Sequence, residues 1–406
     1  MKRIVFLLLF SFFFIKGISQ TQNEWITDLD TLKHQFLQKK WLFNPFLKQQ
    51  FIQKLESLKN NNPQNLENQY WQIVDLLRIF KQPTIQIKNI DFKKFPFRVK
   101  EFDGNYYLTS IDPNFENSLG VIIQKINGIA INSIVQKIQN VSDISTKSFL
   151  KHYKINKTDT LSLNIQQNKK QVVKLFFNEI ENSNELTPII PKNTPFYLQK
   201  QDRWFWSYGI NYGQQIYFKL NRGLSKEFLQ QMKDSLQITD YQLAKRYHLS
   251  LQTVYDAPTF NNFTKKLFQK LKKRRYKKLF IDVRNLKIGD SRMLNSFIKK
   301  LQKLKRINRK ARLFLFVDKD LSVAAMNIVM LFKEKTNATI IGESIKQIAC
   351  NSNKIKELVL PNSRFIITYP MENFEVIHVK PKIQVAYTFS QFVNGIDPIL
   401  QKVLEE

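Results

Sequence analysis

Residues 279–343 decide the fold, because short apolar runs alternate there with amphipathic stretches. The first run, Leu279-Phe280-Ile281-Asp282-Val283-Arg284-Asn285, is typical of a strand buried on both faces. Residues 293–304 carry apolar side chains at helical spacing; a second strand (313–317), a second helix (324–332) and a third strand (338–343) follow. This order predicts parallel strands joined by helical crossovers, with functional residues beyond the carboxyl ends of the strands.

Three motifs at those strand ends resemble the catalytic core of the S41 serine peptidases, the family of tail-specific and tricorn-type proteases. They are Ile281-Asp282-Val283-Arg284-Asn285, Leu321-Ser322-Val323-Ala324-Ala325 and Ile340-Ile341-Gly342-Glu343. The resemblance implies that Ser322 stands at the nucleophile position. Counting back from Gly342-Glu343 without a gap places Val323 there instead, and the sequence leaves both alignments open. The same resemblance predicts a binding cleft at Asn285, Gly289, Gly342 and Glu343.

The chain departs from the family pattern at two catalytic positions. The family's general base is a His in Asp-Gly-His-Thr, and the corresponding residue here is Pro83, which has no lone pair to accept a serine proton. The family's glycine run, whose amides help form the oxyanion hole, is replaced by Leu286-Lys287-Ile288-Gly289-Asp290. A lost oxyanion donor typically costs about 100- to 1000-fold in rate. Both changes favour an inactive homologue.

Lys346 keeps an active alternative open. Tail-specific relatives use a Ser–Lys dyad, in which a lysine of lowered pKa acts as the base. Lys346 follows Ser322 at a spacing near that of the family, although the expected glycines beside it are missing. An active enzyme would therefore use Ser322 with Lys346 or with an unrecognised base.

The rest of the chain predicts a multidomain α/β (α+β) protein. Residues 1–19 read as a signal peptide, 20–94 as a three-helix cap, 95–181 as a PDZ-like β-rich module and 182–195 as a linker. Residues 196–406 then form the S41 peptidase-like α/β domain, with parallel strands and crossover helices. The segment from Leu119 to Gly128 carries the PDZ-like resemblance. The alternative is a plain β-sandwich module that fills space in the fold. PDZ domains bind peptides as an added strand.

The N-terminus predicts export to the periplasm or the extracellular space. Lys2-Arg3 precede an apolar run, Ile4 to Ile15, and Gly17-Ile18-Ser19 form a small-residue cleavage site. The run is too short to span a bilayer, so no membrane span is expected after signal cleavage. The single cysteine, Cys350, cannot form an internal disulfide.

The formal charge is +31, from 64 Lys and Arg against 33 Asp and Glu. Such a charge can mark a surface that binds nucleic acid or another polyanion. Because lysine occurs from end to end, together with abundant Asn, Ile and Phe, the sequence favours compositional drift over a binding site.

Three functions are therefore predicted, in order of preference. The first is an exported, catalytically degenerate S41 homologue that binds peptide or protein; the second is an active serine endopeptidase. The third is a basic surface protein that binds an anionic glycan or nucleic acid, although no nucleic-acid partner is expected under the first. No metal cluster, phosphate loop or dinucleotide fingerprint is recognisable, so no metal and no cofactor is predicted.

Overall fold

The computed structural model describes residues 21–61, 65–80, 85–88, 94–138, 145–156, 160–168, 171–177, 186–211, 214–273, 276–286, 288–319, 321–346, 355–371 and 378–405. The predicted signal peptide, Pro83 and Cys350 lie outside these ranges. Within them, none of the helices has the length and apolar character needed to cross a membrane.

The N-terminal part is a cap of three helices, as predicted. Each helix begins where a polar side chain accepts a hydrogen bond from the first-turn backbone: Thr21, Asn44 and Asn65. The elements are α1 (Gln22–Leu37), α2 (Pro45–Lys59), α3 (Leu66–Leu77) and the short strand β1 (Gln86–Ile87).

The next part is a β-rich module with two short helices. The elements are β2 (Phe97–Phe102), β3 (Asn105–Ile111), β4 (Ile122–Ile126), β5 (Ile129–Ala130), α4 (Ile131–Ile138), α5 (Lys147–His152), β6 (Leu161–Asn168), β7 (Gln171–Phe177) and β8 (Thr187–Pro188). Five strands follow the order β2-β3-β4-β6-β7, with β5 paired to β4 and β8 paired to β3. The turn between β2 and β3 lies at Asp103 and Gly104, which both have positive φ.

The C-terminal part contains a six-stranded sheet, which includes the three parallel strands predicted in residues 279–343. Its strands are β9 (Phe205–Ile210), β10 (Gln215–Leu220), β11 (Lys278–Asp282), β12 (Leu313–Val317), β13 (Thr339–Gly342) and β18 (Ile383–Gln384). Its helices are α6 (Lys226–Leu236), α7 (Asp240–Arg246), α8 (Leu251–Tyr255), α9 (Phe260–Lys272), α10 (Asn295–Lys303), α11 (Val323–Lys335), α12 (Phe389–Asn394) and α13 (Pro398–Glu405). Two further strand pairs are β14 (Ile345–Lys346) with β17 (His378–Val379), and β15 (Ile355–Val359) with β16 (Ile366–Pro370).

The sheet order is β18-β13-β12-β11-β10-β9, and every neighbouring pair is parallel except β9 with β10. The predicted α/β fold is confirmed. Alternate strand residues face two cores, as the two-residue period of a strand requires. Leu279, Ile281 and Leu315 pack with the α9, α10 and α11 layer, whereas Phe280 and Phe316 pack with α13 on the opposite face.

A hairpin from the C-terminal part completes the core of the cap. β16 pairs with β1, and Ile367 and Tyr369 are buried in the same cluster as Trp25 of α1. Asp28, which is fully buried, accepts hydrogen bonds from the backbone amides of residues 362 and 363, both at 2.8 Å. The cap, the β-rich module and this hairpin therefore share one continuous core.

Candidate functional site

The motif at the end of β11 is a buried charge network. Asp282 is fully buried, and the guanidinium of Arg284 donates to its carboxylate at 3.0 and 3.1 Å from Nε and at 2.5 Å from Nη2. The backbone amide of Arg284 adds a further bond to Asp282 Oδ1 at 2.9 Å. The two residues therefore lock the turn that ends the strand.

Asp397 joins this network from the C-terminal end of the domain. Its carboxylate accepts two parallel bonds from Arg284, at 3.0 Å from Nη1 and 2.7 Å from Nη2, which is the strong bidentate arrangement. It also accepts from the amide of Leu400 at 3.2 Å, in the first turn of α13. The Tyr197 ring covers the guanidinium at 4.2 Å from its centroid. Arg284 is thus enclosed, at 2% exposure.

Lys219 and Tyr217 of β10 complete the network. Lys219 Nζ lies 3.4 Å from Asp282 Oδ1 and also donates to the backbone carbonyl of Arg284, and the Tyr217 hydroxyl donates to Asp282. Burial raises the pKa of Asp282, but the charges of Arg284 and Lys219 outweigh it and hold the pKa at about 2. Burial lowers the pKa of Lys219 below its usual value, against the opposing effect of Asp282.

Ser322, the predicted nucleophile, is the N-cap of α11. Its Oγ accepts from the amide of Ala325 at 3.1 Å and donates to the backbone carbonyl of Leu286. The hydroxyl proton is therefore held by a carbonyl, which is not a base of useful strength. The alternative position, Val323, is 42% exposed on the first turn of the same helix.

The two positions at which the family would place a base are Lys346 and Pro83. Lys346 lies on β14, where its backbone pairs with His378 of β17, but the described part of the chain does not extend to its side chain. The family His position, Pro83, lies outside the described residues. Ser322 therefore stays a predicted nucleophile position, and Lys346 stays a predicted base.

Gly289 is held by a close approach of two backbone segments. The amide of Gly223 donates to the Ile288 carbonyl at 2.8 Å, and the amide of Asp290 donates to the Gly223 carbonyl at 2.9 Å. A Cβ on Gly289 would lie 2.7 Å from the Cα of Gly223, so no larger residue fits. Gly289 is therefore needed where these two backbone segments pass close to each other. The amide of Asp290 is already hydrogen-bonded within the protein. Asn285 is exposed and has a left-handed φ of 57°.

Gly342 is also required by packing. Its φ is +137°, and a Cβ there would lie 1.8 Å from the carbonyl oxygen of Val317 on the neighbouring strand. The next residue, Glu343, accepts a long bond of 3.5 Å from the amide of Lys319. Lys319 in turn pairs at 3.4 Å with Glu101 of β2, so the β-rich module contacts this edge of the sheet. A cavity of about 40 Å³ lies there, lined by Glu101, Tyr197, Arg284, Lys319 and Glu343, among others.

A larger groove of about 380 Å³ runs along α11 beside Ser322. We call it the α11 groove; one wall is residues 289–292 and the other is Val323, Ala324, Asn327, Met330, Leu331 and Glu334. Val323, Met330 and Leu331 supply apolar surface, while Asp290 is ion-paired with Arg292 at 2.6 Å. This groove has the size and mixed lining of a ligand site. Among the predicted cleft residues, Gly289 lines it, and Glu343 lines the 40 Å³ cavity instead.

Three solved structures have the same overall architecture as this chain. Mature CPAF matches with 11% identity, covering 94% of this chain and 96% of that chain, at a TM-score of 0.57. Mature CPAF complexed with lactacystin matches with 11% identity over 95% and 97%, at 0.56, and a CPAF mutant with 10% identity over 95% and 98%, at 0.52. No protein-family model and no curated protein matches the sequence. The chain has an S41-type fold, as its motifs predicted.

Sequence reasoning missed the partners of Arg284. No sequence motif marks Asp397 or Lys219 as a partner of Arg284. A lysine inside the otherwise apolar run Gln215–Leu220 is a usable signal, because an unpaired charge is not tolerated in a buried strand.

Proposed function

We propose that this chain is an exported, catalytically degenerate S41-type peptidase homologue that binds a peptide or protein segment in the α11 groove without cleaving it. The observation that carries the proposal is the state of Ser322, whose hydroxyl caps α11 and donates to the Leu286 carbonyl. A serine nucleophile needs a neighbouring base to take its proton. Proline at the family His position supports the same conclusion.

The oxyanion side supports it as well. The loop that follows β11 contains one glycine, and the Asp290 amide donates to the Gly223 carbonyl instead of pointing at a substrate. A preorganised donor of this kind is worth about 100- to 1000-fold in rate. Nucleophile activation and oxyanion stabilisation are therefore both weakened.

The lining of the α11 groove suggests the ligand's chemistry. Val323, Met330 and Leu331 favour apolar side chains, and Glu334 and the Asp290–Arg292 pair add charge at the rim. The segment we propose is therefore unfolded, with apolar residues flanked by a basic one. Export rests on the N-terminal pattern, and the PDZ-like nature of the β-rich module stays a prediction from sequence.

The test combines turnover and binding with one reporter, ribonuclease with alkylated cysteines, which is unfolded and cationic. We expect no cleavage above background by the wild type or by Ser322→Ala. That variant loses the helix cap, about 1 kcal/mol of unfolding free energy, and the hydrogen bond to the Leu286 carbonyl. Cleavage that disappears in Ser322→Ala would establish the active alternative, with Lys346 the first base to examine.

Binding of the same reporter locates the ligand. Met330→Glu places a charge in the α11 groove, and we expect at least a tenfold loss of affinity by fluorescence anisotropy at physiological salt. Val359→Glu is the matched control, since Val359 is 49% exposed on the β15–β16 hairpin. It should change the affinity less than twofold. Equal affinities for the wild type and Met330→Glu would contradict the assignment of the groove.

A further inference from the structure

The amino edge of the six-stranded sheet gathers exposed positive charge. Helices α9, α10 and α11 lie in one layer and each leads into a parallel strand, so all three end at this edge. Their last turns carry Lys270 and Lys272, Lys300 and Lys303, and Lys333 and Lys335. We define the basic edge as the exposed residues Lys272, Lys273, Lys277, Lys303, Lys305, Arg309, Lys310, Lys333 and Lys335.

Hydrogen bonds fix these segments side by side. Arg306 donates to the carbonyl of Lys273 at 3.2 Å, and also to those of Leu271 and Tyr276, which joins the α10–β12 loop to the end of α9. Gln302 donates to the Lys335 carbonyl at 2.8 Å, which joins the ends of α10 and α11. The basic edge is therefore a continuous row across three packed helices. With neighbouring axes roughly 8–10 Å apart, it extends about 20 Å.

This arrangement corrects the interpretation of the net charge as evenly spread compositional drift. Residues 260–312 contain 20 Lys and Arg but only two acidic residues, Asp282 and Asp290. More than half of the net +31 thus falls in about an eighth of the chain. Both acidic residues lie at the carboxyl edge, where Arg284 and Arg292 pair with them.

The charges of the basic edge are available to a ligand. Within the described part of the chain, none of the ion pairs involves a member of the row. Favourable interaction with helix dipoles accounts for lysines in the last turns. It does not account for Lys277, Lys305 or Lys310, which lie in loops.

We propose that the basic edge binds a linear acidic polysaccharide. A row of lysines supplies point charges along a line, which suits a ligand with regularly spaced anionic groups. Single-stranded nucleic acid is bound largely by stacking on aromatic rings, and no exposed large aromatic residue lies in the described parts of residues 260–312. The predicted export also favours a glycan. This site meets the α11 groove only at the end of α11, where Glu334 lies between Lys333 and Lys335, and it does not depend on the function proposed there.

The test uses the full mature chain and a fluorescein-labelled heparin octasaccharide as the probe. The variant Lys272→Gln/Lys273→Gln/Lys303→Gln/Lys305→Gln removes four charges from the row. We expect at least a tenfold loss of affinity at 0.15 M salt. We also expect the slope of log affinity against log salt to become shallower by about one for each contact removed.

A matched variant separates position from net charge. Lys48→Gln/Lys151→Gln/Lys245→Gln/Lys402→Gln removes four exposed lysines of α2, α5, α7 and α13, none of which forms an ion pair in the described part of the chain. It should lose less than threefold. Equal losses in the two variants would overturn the proposal, as would tighter binding of a single-stranded DNA of the same charge than of heparin. Binding of the unfolded ribonuclease should be unchanged in both variants.

Discussion

Charged side chains are buried at one edge of the six-stranded sheet and exposed at the other. At the carboxyl edge Asp282, Arg284 and Lys219 are buried and bonded to one another, and Asp397 closes the group. At the amino edge the lysines that follow α9, α10 and α11 are exposed. Charge at the first edge therefore belongs to the fold, and charge at the second is free to act on other molecules.

This difference explains which parts of the S41 pattern the chain has. Asp282, Arg284 and Gly342 match the pattern, and each has a task inside the protein: the first two form the network, and Gly342 packs against Val317. By the resemblance, Pro83 stands at the family His position and one glycine of the family run remains; the family His and glycine run serve the reaction and not the fold. A fold can thus retain the outline of an active site because removing a buried charge is costly, whether or not the site works.

The largest expected effect is on the carboxyl edge. Arg284→Met leaves the carboxylates of Asp282 and Asp397 buried without their shared partner, and we expect a loss of about 3–5 kcal/mol in unfolding free energy by urea denaturation. Asp397→Asn, which keeps the shape, is the milder second variant. Arg292→Met removes an ion pair that is 42% exposed at the arginine, and it should cost less than about 1 kcal/mol. Similar losses for Arg284→Met and Arg292→Met would contradict the contrast between buried and exposed charge.

The second largest effect is expected in acid, where the buried network at the carboxyl edge should lose part of its contribution to the unfolding free energy. The pKa of Asp282 is lowered to about 2 in the folded protein from 3.8, so its carboxylate stabilises the fold above pH 4. This contribution, roughly 2 kcal/mol, is lost as the pH falls from 4 toward 2. Urea denaturation at several pH values should show a steeper acid decline for the wild type than for Asp282→Asn. Parallel declines would mean that another carboxylate governs the acid response.

The smallest effect is expected at the amino edge. The four-lysine variant of the basic edge should change the unfolding free energy by no more than about 0.5 kcal/mol, because exposed side chains without buried partners contribute little. Urea denaturation beside the wild type measures this. A loss above about 1.5 kcal/mol would show that these lysines hold the fold, and the comparison of the two edges would fail.

Much of the fold could be predicted from local pattern. The apolar runs predicted the ends of β11, β12 and β13 to within three residues, and helical spacing predicted α10 and α11. One boundary could not be predicted: the sequence from Phe260 favours a helix as far as Lys278, but α9 ends at Lys272. Arg306, more than 30 residues away, binds the backbone carbonyls there. Periodicity holds no information about such a distant donor.

The candidate site was less predictable, because its bonds join distant residues. The motif predicts Ser322 as the nucleophile position, but the bond of Ser322 to the Leu286 carbonyl depends on how two loops meet. The basic edge is hidden in the sequence for a similar reason, because its residues are dispersed along the chain between residues 272 and 335. It becomes visible only when the three helix ends are placed on one edge.

The bond between Arg284 and Asp397 has a consequence for the order of folding. It spans 113 residues, and closing a loop of that length costs about 4 kcal/mol of chain entropy beyond a constant. Until α13 docks, the guanidinium stays hydrated and the carboxyl edge is incomplete. We therefore expect the sheet to pair before α13 docks, and the bond between Arg284 and Asp397 to form last. Before that event the chain exposes apolar strand surface, and it is then most open to chaperones, proteases and aggregation.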